Sequence, residues 1–274
     1  MSTLSTDPAD RTLPVVRPAR SAWRETMWVE LCCLWQCARF SRRHRRYFVI
    51  FLAIYGPSLL HWRRLRAVRT GFCAAQWIDD LLDGDRPSKR EPLEVIEELR
   101  TEMANGRFSS QPLSRLTAAL FAGMAPDGQR EFMDLVSTMQ CDRKRVMEKE
   151  VWSEDALRDH HRTTFRLSVN LLLRTTRCHA RAEDVPSLIA ALSWCSVFRD
   201  LDDDLRKGLI NVPGPIWNAA STDELSQWAR QSRVQAAAWI ARAAEEVGAL
   251  SDPRARRILG IFQRSVAHFE RKLR

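Results

Sequence analysis

The stretch S-W-C-S-V-F-R-D-L-D-D-D-L-R-K-G-L-I-N-V-P, residues 193–213, places Asp200 and Asp204 four positions apart. On a helix that spacing sets both carboxylates on one face, about one turn from each other. Upstream, W-I-D-D-L-L-D-G-D repeats the arrangement with Asp79 and Asp83. Both pairs follow apolar runs, Phe72 to Ile78 and Leu188 to Phe198, so each starts where a buried helix is still inside. Two acidic helix ends facing solvent would give the same spacing. Like charges held together repel, however, and unneutralised carboxylates in an apolar setting are costly. Hard divalent cations prefer oxygen ligands, and Mg2+ is commonly held by one or two carboxylates plus substrate phosphates. The four aspartates therefore read as a set that suspends a diphosphate inside a helical cavity.

Working outward, the chain predicts helices almost everywhere. Apolar residues recur at helical period from about Ser21 to Phe40, Leu60 to Leu82, and Pro92 to Ala104. The pattern resumes from Pro112 to Met124, Gln129 to Glu150, Asp155 to Arg177, and from Asp184-Val185-Pro186 to Lys207. It closes with Ser221 to Leu250 and Asp252-Pro253 to the C-terminus. Gly208 is a natural helix stop, and Pro126-Asp127-Gly128 and Ile210 to Pro215 read as connections. No strand-like alternation and no internal repeat is present. The expected fold is all-α, nine or ten helices in one domain over residues 21–274, preceded by a disordered tail over residues 1–20.

With 274 residues, 45% of them hydrophobic and 28% charged, the chain can bury a substantial core. The formal charge of +9 fits nucleic acid, an anionic surface or a phosphorylated substrate. Nucleic acid is set aside, because no recognition module and no interleaved stacking aromatics accompany the arginines. Seven cysteines, odd in number and without zinc spacing, read as buried thiols in a reducing cytoplasm. The N-terminal segment lacks the apolar core of a signal peptide. The most apolar run, Phe48 to Tyr55, is far short of the ~20 residues that span a bilayer. Peripheral contact with a membrane surface stays open.

Other groups have two readings each. Arg199, Arg206 and Lys207 flank the second acidic pair and either bond Asp203 or Asp204 along the helix or contact diphosphate oxygens. The cluster Arg42, Arg43, His44, Arg45, Arg46 and Tyr47 is either a solvated basic loop or, through Arg45 and Arg46, part of a diphosphate site. His160 and His161 are adjacent and so point about 100° apart on a helix, which disfavours a metal pair and leaves a base role for one of them. Asp142 follows the apolar-lined segment Phe132 to Met139 and can face the cavity. Ser196 and Asn170 are further candidates for the cavity or acceptor side.

Taken together these residues resemble squalene and phytoene synthases. Residues 199–213, R-D-L-D-D-D-L-R-K-G-L-I-N-V-P, are similar to the second aspartate motif of that family, and Ile78 to Asp83 to its first. Met139-x-x-Asp142 resembles a shorter element between them, and His44 to Phe48 sits where the family keeps a basic and aromatic N-terminal diphosphate site. The resemblance runs over about residues 40–215. It implies an α-helical isoprenoid-synthase fold, Mg2+ held by Asp79, Asp83, Asp200 and Asp204, a prenyl diphosphate donor, and ionisation of its C–O bond to an allylic cation.

The sequence also departs from that family. Ser193 and Ser196 stand where a Gln and an Asn usually precede the second motif, and Gln76 where an Arg commonly precedes the first. A tyrosine- and glycine-rich helix is replaced by the stretch from His160 to Asn170. In the family, the residues missing here serve the second prenyl diphosphate and the cyclopropyl rearrangement of head-to-head condensation. The expected activity is therefore transfer of one prenyl group to a different small-molecule acceptor, as in phytoene-synthase-like enzymes that prenylate aromatic natural products such as carbazole quinones. The ten tryptophans can help line such a site or simply pack the core. A head-to-head synthase making squalene, dehydrosqualene or phytoene is the alternative. A non-catalytic scaffold is the third reading, disfavoured because all four aspartates are present.

Overall fold

The computed structural model describes residues 23–43, 56, 61–219 and 221–272. The expected tail over residues 1–20, the basic cluster from His44 with Arg45 and Arg46, and the apolar run Phe48 to Tyr55 lie outside the described residues. Among the described residues there are ten α-helices and no strand. They are α1 (Trp23–Arg43), α2 (Arg66–Leu82), α3 (Pro92–Asn105), α4 (Pro112–Phe121) and α5 (Pro126–Glu148). The chain continues through α6 (Glu154–Thr175), α7 (Pro186–Lys207), α8 (Gly214–Ala219), α9 (Thr222–Ala249) and α10 (Pro253–Lys272). The all-α expectation agrees with this architecture.

Local chemistry sets most of the boundaries. Proline stands in the first turn of α3, α4, α5 and α7, where its fixed φ is preorganised and its missing N–H costs nothing. Ser153 and Ser221 cap α6 and α9 by accepting hydrogen bonds from the amides of Ala156 and Glu224. Gly106 and Gly208 end α3 and α7 in the left-handed region, at φ 63° and 84°.

Three boundaries differ from the sequence reading. Helix α2 begins at Arg66, because residues 61–65 form turns. The buried Arg69 guanidinium holds that turn: it bonds the Trp62 carbonyl at 2.9 Å and lies 3.9 Å from the Trp62 ring centroid. Pro126-Asp127-Gly128 is the first turn of α5 rather than a free turn. The connection after α7 is shorter than expected, since Gly214-Pro215 starts the six-residue α8, with the Gly214 amide bonded to the Trp152 carbonyl at 2.8 Å.

The helices bury two apolar clusters. One joins α1 to α5 and includes Ile78, Leu82, Leu116, Phe121 and Phe132. The other joins α6, α7, α9 and α10 through Leu173, Leu188, Val247 and Leu259. Each fully buried Leu or Phe contributes ~1.5–3 kcal/mol. Helix α2, with the first acidic pair, belongs to one cluster, and α7, with the second, to the other. The acidic motifs therefore meet where the two halves of the molecule join. All seven cysteines are free thiols. Among the described residues no helix is long and apolar enough to cross a membrane.

Candidate active site

Both acidic pairs occupy helix C-termini. Asp79 lies in the last turn of α2 and Asp83 is its C-cap, while Asp204 sits in the last turn of α7 before Gly208. The negative end of a helix dipole disfavours carboxylates by ~0.3–1 kcal/mol each. Stability alone does not account for acids in these places.

The two ends are joined across the cleft. Lys207 Nζ donates to Asp83 Oδ2 at 2.8 Å and to Asp85 Oδ2 at 3.3 Å, over 124 and 122 residues of sequence. Burial works against the Lys207 charge, but these two carboxylates outweigh it and hold its pKa above the ordinary value. Asp79 lies deeper. Burial first, then repulsion from Asp83 and Asp80, push its carboxyl well above the usual range, and Lys207 offsets only part of this. Asp204 is pushed up to about 7, chiefly by burial and then by Asp200, Asp83 and Asp142, against one hydrogen bond from Asn211. Asp83 on α2 thus acts on Asp204, and Asp142 on α5 acts on both Asp79 and Asp204. The two acidic helix ends are thus close enough for their charges to act on each other.

A polar chain supports the second wall. Asn211 Nδ2 donates to Asp204 Oδ2 at 2.9 Å. Arg145 Nη1 donates to Asn211 Oδ1 at 3.2 Å and to Asp142 Oδ1 at 2.9 Å, and its Nη2 reaches the Ile210 carbonyl at 2.7 Å. The fully buried Arg145 also lies 4.2 Å from the centroid of the Trp152 ring. His160 Nε2 meets Asp142 Oδ2 at 3.0 Å. Burial raises the Asp142 carboxyl, but His160 and Arg145 outweigh it and leave the pKa below its ordinary value. Asp142 is therefore the neutralised carboxylate of the site. Asp79 and Asp204 form no ion pair among the described residues.

The remaining sequence candidates spread out from this centre. Arg199 holds Asp200 through its Nε at 3.0 Å and lies 3.4 Å from Ser196 Oγ. Arg206 bonds Asp203 and the Asp202 carbonyl, with 76% of its side chain exposed, so it points away from the cleft. His161 keeps its ring 5.5 Å from that of His160, and burial, against Asp142 and Asn211, lowers its pKa to about 4. Asn170 is not on the cavity side. It is buried in the second apolar half, accepting from the Ala182 amide at 2.7 Å and donating to Glu183. Its amide fastens the turn after α6, which its position on the same helix as His160 did not reveal.

Sequence reasoning assigned no role to Asn211, Arg145 or Asp85. A signal existed for two of them. Asn211 stands in the I-N-V-P tail of the second motif, and Arg145 follows Asp142 by three positions. Among the described residues no three His, Cys, Asp or Glu side chains converge as a ready metal cage. Mg2+ is usually held by one or two carboxylates together with waters and substrate phosphates. Hard oxygen donors, two of them raised by burial and repulsion, are a donor set that fits such an ion.

No protein-family model matches the chain, and no curated protein matches its sequence. Among solved structures, the crystal structure of squalene synthase HpnC from Alicyclobacillus acidocaldarius is similar, with a TM-score of 0.67 over 92% of this chain and 95% of that one. Identity between the two is 18%. The chain therefore has the all-α fold of a squalene synthase.

Proposed function

We propose that this protein is a Mg2+-dependent prenyltransferase that ionises an allylic prenyl diphosphate and joins the prenyl cation to an acceptor through a C–C bond. The observation that carries the reading is the Lys207–Asp83 bridge, which ties the two acidic helix ends to each other. Asp79, Asp83, Asp200 and Asp204 would hold Mg2+, which supplies electrostatic stabilisation of the departing diphosphate. Lys207, already at the cleft, is placed to donate to a diphosphate oxygen, and Arg199 to balance charge beside Asp200. The allylic C–O bond breaks with its electron pair leaving on the diphosphate. The acceptor's π electrons form the new C–C bond, and the acceptor carbon then loses its proton to an oxygen of the released diphosphate. Arg145 and Asn211 keep the second wall in register, and an apolar cavity would keep water from the cation.

Two acceptors compete. A non-prenyl, aromatic acceptor is favoured by Ser193, whose hydroxyl donates back to the Ile189 carbonyl at 2.8 Å and so offers nothing to a second diphosphate. A second prenyl diphosphate, condensed head to head, is favoured by the squalene synthase likeness over nearly the whole chain. Incubation with geranyl, farnesyl or geranylgeranyl diphosphate plus Mg2+, scored by product mass, separates them. A C30 or C40 hydrocarbon formed without added acceptor refutes the first. Diphosphate release that requires an aromatic co-substrate refutes the second, and turnover indifferent to chelation refutes both.

A further inference from the structure

Behind the second acidic wall lies a recess between α6, α7 and α9 that the diphosphate chemistry does not use. Its lining includes Trp194, Phe198, Trp228, Trp239, His161 and Asn211. The rings form a continuous surface: Phe198 stacks on Trp228 at 4.9 Å between centroids and 26° between planes, and Trp194 sits 5.4 Å from Phe198. The recess holds about 90 Å³ of free space. That is below the ~150 Å³ of an apolar cavity that accommodates benzene, so it suits one ring at most and is too little for a long prenyl chain.

Two polar atoms in this lining are buried without a hydrogen-bond partner, Trp194 Nε1 and His161 Nε2. An orphaned buried polar group costs ~1–3 kcal/mol. Buried groups of this kind are rare, and a bound partner that completes them is one explanation. The indole N–H can only donate. The imidazole, kept neutral by burial, offers an acceptor nitrogen. Asn211 lines the recess and also donates to Asp204, so one side chain separates the recess from the second acidic pair.

We infer that this recess is the acceptor subsite, and that it takes a flat aromatic ring bearing a hydroxyl group, whose oxygen accepts from Trp194 Nε1–H and whose O–H donates to His161 Nε2. This rests on the prenyl-transfer reading for its role, but not for the binding itself, which needs neither Mg2+ nor diphosphate. His161 and Trp194 are specificity-determining residues in this assignment.

The test is titration calorimetry of the full chain, without metal, using phenol, anisole and benzene. Phenol should bind at least fivefold more tightly than the methyl ether, which cannot donate, and more tightly still than benzene. His161→Phe should erase the difference between phenol and its ether, and Trp194→Phe should weaken both oxygenated probes toward benzene. Equal affinity for the three probes, or variants that leave the ranking unchanged, overturns the inference. If the variants do not fold, an azidophenol photolabel on the wild-type protein decides: labelling within 190–198 or 228–239 supports the subsite, and labelling elsewhere overturns it. Selective phenol binding alongside absent diphosphate release would sink the prenyl-transfer reading alone. Diphosphate release without phenol selectivity would sink the subsite alone.

Discussion

Replacing Asp204 with Asn should stabilise the metal-free protein while abolishing its activity. The carboxyl sits at about 7 in the fold against 3.8 as a model group, because burial and three neighbouring acids oppose its charge. A folded-state pKa above the unfolded one means that the folded protein binds the proton more tightly. Its contribution is intact below about pH 4 and is lost as pH rises through 7. Three units at ~1.4 kcal/mol each give an upper bound of ~4 kcal/mol. Partial solvent access to the side chain cuts this to about 2 kcal/mol. Asn keeps an acceptor oxygen for the Asn211 amide, so the 2.9 Å hydrogen bond survives. In a chain of this length about 2 kcal/mol corresponds to a Tm gain of ~4–8 °C at pH 8, and no gain at pH 4. Thermal melts of wild type and Asp204→Asn at both pH values, in chelator, read it directly. Mg2+ with pyrophosphate should raise the wild-type Tm at pH 8 and leave the variant unmoved. A variant that melts lower than wild type at pH 8 would refute the reasoning, because Asp204 would then be a structural partner and not a site of stored repulsion.

Other outcomes follow from the same geometry. Asp79→Ala should lower turnover by at least ~10²-fold with the helical circular-dichroism signal intact, since its charge is destabilising in the metal-free fold. Arg145→Met should cost ~1–3 kcal/mol in denaturant melts, because it removes the partner of the Ile210 carbonyl and of Asn211 Oδ1, while Asp142 keeps His160. His161, with a folded pKa of about 4 against 6.5, acts in the opposite sense to Asp204. Its share of stability is present above about 6.5 and disappears as pH falls toward 4, so His161→Phe should flatten the acid limb of the stability–pH curve. Gly208→Ala should cost ~1 kcal/mol, since φ 84° at the end of α7 excludes a Cβ.

Much of this was legible in the sequence because it depends on short-range rules. Prolines in first turns, serine caps and Gly208 set helix ends that four-residue windows contain, and the two aspartate pairs declare themselves by spacing. What escaped depends on contacts between distant segments. Nothing near Lys207 in sequence says that it bridges to Asp83 instead of pairing along its own helix as Arg206 does. Arg145 and Asn211 are 66 residues apart and join only when α5 packs beneath the turn after α7. Asn170 looked like a cavity residue because it shares α6 with His160, yet the fold places that end of the helix in the second apolar cluster. The aromatic recess draws on three helices, and no window of sequence contains it.

The central claim is that carboxylates on α2 and α7 act together on one metal–diphosphate group. The most direct measurement is calorimetric titration with a non-ionising thiolo analogue of farnesyl diphosphate, with and without Mg2+. Binding that requires Mg2+, and that is lost in both Asp79→Asn and Asp204→Asn, is the predicted result. Equal binding in chelator, or full affinity in either variant, would contradict it.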